Sequence, residues 1–133
     1  MPKSTRAWQH VLEPLFGYIL LGFRQYNEPV KFSSSWNFGP ENTNKSVIDL
    51  ISSLNSHNEK KVKILIKNSG KFKEANLLQL NCEKANLYLD WKPKLDFNQT
   101  VLLTSDWYKK SLLDSNSSLY NFSIKQIYQY LEI

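Results

Sequence analysis

The sequence predicts an α/β fold. Three observations carry that reading. Apolar residues recur at helical spacing in several stretches, beginning with Leu12, Leu15, Phe16, Ile19, Leu20 and Phe23. Val62-Lys63-Ile64-Leu65-Ile66 has the β-branched content of a strand. Helical and extended segments alternate along the chain.

Taken in order, residues 5–11 read as a short extended segment, with Trp8 and Val11 around the polar pair Gln9-His10. A helix is expected from about Glu13 to Tyr26, with Pro14 in its first turn, where a missing N–H costs nothing. Asn27-Glu28-Pro29 ends it. A short strand is expected within Phe32–Phe38, closed by Gly39-Pro40. Ser46 is placed to cap a second helix with Val47, Leu50, Ile51 and Leu54 on one face. After the strand at Val62–Ile66 come a turn signal at Asn68-Ser69-Gly70 and a further short strand at Asn76–Leu80. Asn81 is placed to cap a short helix through Leu89, which Asp90-Trp91-Lys92-Pro93 breaks. Asp96 is placed to cap the next, carrying Phe97, Val101, Thr104, Tyr108 and Leu112. Residues 114–122 read as a linker, and Ser123 as the cap of a last short helix.

The chain has 133 residues, 41% of them hydrophobic, which suits one domain with a modest core. Its single cysteine, Cys82, cannot form an internal disulfide, as suits a reducing compartment. The run Leu12–Phe23 is too short to span a bilayer. A cytoplasmic protein without a membrane partner is expected. The net charge of +5 fits an anionic partner or a lysine-rich solvated surface, and the lysines are spread from Lys3 to Lys125. No motif mixes basic and stacking aromatic residues, so no nucleic-acid partner is expected.

A dinucleotide turn needs closely spaced glycines. The four here, Gly17, Gly22, Gly39 and Gly70, have no such spacing. Tyr88 and Lys92 have the Y-x-x-x-K spacing of a phenolic base with its lysine, but Lys92 precedes Pro93 and lies in the apparent helix stop. His10, His57 and Cys82 show no metal-ligand spacing, and no G-x-S-x-G elbow occurs. No catalytic residue and no metal ligand is assigned. Arg6, beside Trp8 and entering an apolar helix, has the chemistry to hold a diphosphate through paired hydrogen bonds. A surface arginine in an ion pair is the alternative that the sequence leaves open, as a structural histidine is for His10.

Arg6-x-Trp8-Gln9-His10-Val11-Leu12-Glu13-Pro14-Leu15 resembles the segment that opens the C-terminal lobe of CDP-glucose 4,6-dehydratases, in the extended short-chain dehydrogenase/reductase superfamily. Trp36-Asn37-Phe38-Gly39-Pro40, the segment Cys82 to Pro93, Trp107-Tyr108-Lys109 and Phe122 to Ile127 resemble further motifs of that family. Three departures stand out. Lys73-Glu74-Ala75-Asn76 replaces H-E-A-H, Asp90 replaces the glycine of L-G-W, and Ala7 replaces a proline.

The resemblance implies that residues 1–133 are a partial domain, an α/β substrate-binding lobe without the N-terminal Rossmann nucleotide-binding domain. It implies a lyase of polysaccharide biosynthesis that removes water from a CDP-hexose with NAD as cofactor. It implies substrate contacts at Arg6, Trp8, Gln9, His10 and Asn37, with Lys71 toward phosphate and Glu74 toward ribose hydroxyls. Alone, the chain is expected to bind no NAD, to be non-catalytic and to expose apolar surface. The expected partners are the nucleotide-sugar and a missing or separately encoded N-terminal NAD-binding half, with a homo-oligomer as a further state. The alternative is a stand-alone, non-enzymatic nucleotide-sugar-binding or docking module.

Overall fold

The computed structural model describes residues 2–41, 44–58, 61–66, 79–113 and 116–133. The first helix, α1 (Leu12–Asn27), follows the apolar spacing closely. Its first N–H groups need acceptors from outside the helix. Val11 at the N-cap offers no side-chain bond. The histidine before it does: Leu12 N donates to His10 Nδ1 at 3.3 Å, and Glu13 N to the His10 carbonyl at 3.1 Å. Asn27 Nδ2 donates back to the Phe23 carbonyl at the other end.

Just ahead of the strand expected within Phe32–Phe38, Pro29–Phe32 forms a single helical turn, α2. The chain then runs without regular structure to Pro40. The α/β expectation fails more broadly. The described residues form six helices, and their only β pairing is an isolated antiparallel bridge between Thr5 and Ser46. Val62–Ile66 is exposed and irregular, tied down by two bonds between Asn55 and the Val62 backbone. The physical reason is pairing. A β-branched segment becomes a strand only when a neighbour takes up its backbone N–H and C=O groups. Among the described residues no segment forms a β ladder with 32–38 or 62–66. The Asn68-Ser69-Gly70 turn and most of the Asn76–Leu80 strand lie outside the described residues, and Gln79-Leu80 is irregular.

The caps read from sequence fare better. α3 (Val47–His57) opens on a capping box, with Asp49 N donating to Ser46 Oγ at 3.2 Å and Ser46 N donating to Asp49 Oδ2 at 2.8 Å. The Ser46 hydroxyl, which donates to Asp49 Oδ2 at 2.6 Å, and then the Ser46 N–H hold the Asp49 carboxyl below the usual carboxylate range. In α4 (Glu83–Leu89) the N-cap is Cys82, while Asn81 Oδ1 accepts from Glu83 N at 2.9 Å. α4 stops at Asp90, which is left-handed with φ 54° and ψ 30°. That conformation favours glycine, the residue the dehydratase motif carries there. Asp96 and Gln99 cap α5 (Phe97–Leu113) reciprocally, at 2.9 and 2.8 Å. The last helix, α6 (Asn116–Leu131), is longer than expected. Ser123 sits inside it rather than capping it, accepting from Trp107 Nε1 at 2.9 Å and donating to the Leu119 carbonyl.

Two clusters make the core. Phe32, Phe38, Ala85, Leu89 and Trp91 pack with Leu20, Leu21 and Trp36. Leu95, Leu103 and Tyr130 pack with Leu12. Phe16 touches both, so α1 is the element that joins them. Phe38 lies on Gly17, where an added Cβ would come within 2.4 Å of its ring, and meets Trp91 edge-on at 5.0 Å. A carboxylate on α1 anchors the second cluster. Glu13 is 1% exposed. Its Oε1 accepts from Lys94 N at 2.8 Å and Leu95 N at 2.7 Å, and its Oε2 from the Tyr130 hydroxyl at 2.8 Å. The burial of Tyr130, and its bond to Glu13, push the phenol well above its ordinary pKa.

Candidate functional site

Residues 4–10 are held beside the start of α3. Val47 N donates to the Ser4 carbonyl at 3.1 Å, Arg6 N to the Lys45 carbonyl at 3.3 Å, and Trp8 Nε1 to the same carbonyl at 3.1 Å. Before the strip enters α1, Gln9 Nε2 donates to the carbonyl of Phe38, in the irregular segment after α2, at 2.9 Å. These bonds leave side chains on opposite sides of the strip.

On one side lies a cleft of about 490 Å³ between the strip, α5 and α6. Gln9, His10, Val11 and Leu12 form one wall, and Thr104, Trp107, Tyr108, Ser123, Gln126 and Ile127 the other. Its lining has hydrogen-bonding groups and two aromatic rings but no lysine, arginine or carboxylate. Trp107 and Tyr108 meet edge-on at 5.4 Å. His10 is buried, and burial lowers its pKa, favouring the neutral ring. With Nδ1 accepting from Leu12 N, the neutral ring carries its proton on Nε2. Gln9 Oε1 is buried with no protein hydrogen bond, a position that suits a donor from a ligand or water. An aromatic wall facing amides and an imidazole can hold a planar base or a sugar ring. It cannot by itself neutralise a diphosphate.

On the other side, Trp8 lines a smaller cleft of about 350 Å³ with Lys45, Lys94 and the residues opening α5. The lysines there are already engaged. Lys45 Nζ sits 5.3 Å from the Phe97 ring, and Lys94 Nζ reaches the Tyr130 and Leu131 carbonyls at 3.4 Å.

Of the residues expected at the site, only Gln9 and His10 share a cleft. Arg6 Nη1 donates to the Thr5 carbonyl at 2.7 Å, and Arg6 lines neither cleft. Asn37 is exposed and donates to the Asn81 carbonyl at 3.1 Å. Lys71 and Glu74 lie outside the described residues. Tyr88 and Lys92 fall on either side of the left-handed turn at Asp90, so no helix presents them as a pair. The described residues form no dinucleotide turn: Gly17 and Gly22 lie inside α1, and no glycine among them has positive φ. No group of three metal-ligating side chains occurs among the described residues, and no helix there is long and apolar enough to cross a membrane.

Two features were missed in the sequence. Tyr108 is read only as part of an apolar helix face and Trp107 only as part of a motif, although an aromatic pair one helical turn beyond Thr104 is a readable signal. Glu13 was passed over as a first-turn residue, although a carboxylate inside an apolar run calls for a buried partner.

No family model matches the chain. Its motifs nevertheless resemble those of nucleotide-sugar dehydratases, and that resemblance to a C-terminal part stands. The chain is 37% identical over 115 residues to the CDP-glucose 4,6-dehydratase of Salmonella typhimurium (strain LT2), a match covering 81% of this chain. It spans 30% of the length of that relative.

Proposed function

We propose that this chain is the nucleotide-sugar-binding part of a dehydratase of the CDP-glucose 4,6-dehydratase kind. The observation that carries the reading is the 37% identity over 115 residues to that enzyme. The uncharged cleft supports it, because its rings and amides suit the uncharged part of a nucleotide-sugar. In this reading Trp107 and Tyr108 offer ring faces, while His10 Nε2–H donates and Gln9 Oε1 accepts hydrogen bonds. The diphosphate is held by charge from elsewhere, with Arg6 and Lys71 as the candidates that the motif resemblance supplies, and Glu74 as its candidate for the ribose hydroxyls. Alone, the chain binds and does not catalyse. The base and cofactor chemistry, including NAD, belong to the part of the enzyme that it does not span.

The test is a calorimetric titration of the full chain with CDP-glucose, with Tyr108→Ala beside the parent. Tyr108 is 62% exposed, so its removal leaves the core alone. Saturable binding that weakens about tenfold in the variant, the loss of one stacking ring of ~1–3 kcal/mol, supports the reading. No binding at millimolar ligand rejects it.

A further inference from the structure

α1 is apolar nearly all round. Its inner face carries Phe16, Leu20 and Leu21 into the core. Its outer face carries Leu15, Tyr18, Ile19, Phe23 and Tyr26, on one side of the helical wheel and all exposed, with Val11 just ahead of them. Ile19 is 71% exposed and Tyr26 88%. Gly22 lies on the same face, with nothing within 4 Å of an added Cβ, so a partner can approach the backbone there. Glu13 and Arg24, the charged residues of α1, lie on the opposite side of the helical wheel.

A helix apolar on all sides is one buried inside a larger protein or a membrane. α1 is not long and apolar enough to be a membrane span. Its outer face has no charge with which to attract an anion, so its occupant is apolar polypeptide. The match to the dehydratase supplies the source: this chain spans only 30% of that enzyme's length.

We propose that the outer face of α1 is the seat of the polypeptide carrying the part of such a dehydratase that this chain does not span. Its apolar residues pack against Ile19, Phe23 and Tyr26, with closest approach at Gly22. This rests on the dehydratase reading above.

The experiment is to co-express the full chain with the remaining length of the Salmonella relative and measure association by sedimentation. A one-to-one complex is expected. Ile19→Glu with Phe23→Glu should weaken it tenfold or more, and Tyr26→Glu, at the helix end, should weaken it in the same direction. Leu87→Glu, equally exposed on α4, should leave it unchanged. Three results overturn the proposal: no complex, a complex indifferent to the α1 variants, or a homodimer of this chain broken by those variants with no complex beside it. CDP-glucose titration of the chain alone separates the two readings. Binding without a complex sinks the docking face only, and a complex without binding sinks the nucleotide-sugar assignment only.

Discussion

Removing the Glu13 carboxylate should be among the most damaging single changes to this chain. Glu13→Ala strands three donors at once: the N–H groups of Lys94 and Leu95 and the hydroxyl of Tyr130. Leu95 and Tyr130 are buried, so water cannot readily replace the lost acceptor there. Each stranded donor costs about 1–3 kcal/mol, which for three donors comes to roughly 3–5 kcal/mol once the part-buried Lys94 N–H is discounted. A loss of roughly 4 kcal/mol is a large share of a stability of about 5–15 kcal/mol. Glu13→Gln keeps an acceptor and the shape but gives up the charge, and should cost about 1–2 kcal/mol. Tyr130→Phe removes a single bond, and with Glu13→Ala should cost less than the sum of the two, because both act on the same contact. Urea unfolding followed by tryptophan fluorescence measures all four variants, with Trp91 and Trp107 as reporters near the site. A Glu13→Ala protein within 1 kcal/mol of the parent, or a Glu13→Gln protein as unstable as Glu13→Ala, would refute the reasoning.

Three further outcomes are expected in the same assay. Gly17→Ala should destabilise by about 1–3 kcal/mol, because its Cβ would meet the Phe38 ring at 2.4 Å, whereas Gly22→Ala, into open space, should stabilise by about 0.5–1 kcal/mol. Asp90→Gly should stabilise by about 1 kcal/mol, since φ is 54° there and glycine pays no Cβ penalty; a loss of stability would show that the aspartate makes a compensating contact. Burial lowers the pKa of His10 from 6.5, so the unfolded chain takes up the proton first as acid is added. That contribution to stability is full above pH 6.5 and is lost as the pH falls through the lower folded value, and His10→Gln should flatten the slope between pH 7.5 and 5.5.

Helices and their caps were legible because their signals are local. Ser46 with Asp49, and Asp96 with Gln99, are reciprocal pairs three residues apart that need nothing from the rest of the chain. Strands were not legible, because their stability depends on a neighbour. Val62–Ile66 has the composition of a strand and no described segment to pair with. The site was half legible for a similar reason. The motif at 6–15 located Gln9 and His10, but only the packing of α5 and α6 brings Trp107 and Gln126 opposite them. It also turns Trp8 to the other side of the strip and engages Arg6 locally. Position along a motif says which residues are near one another, but the backbone bonds to Lys45 and Phe38 decide which way each one points.

The most direct measurement is the calorimetric titration of the full chain with CDP-glucose, read against Tyr108→Ala. Saturable binding that drops about tenfold in the variant is the predicted result. Heat no different from dilution at millimolar CDP-glucose, or binding untouched by the variant, would contradict the assignment of the cleft beside His10 to a nucleotide-sugar.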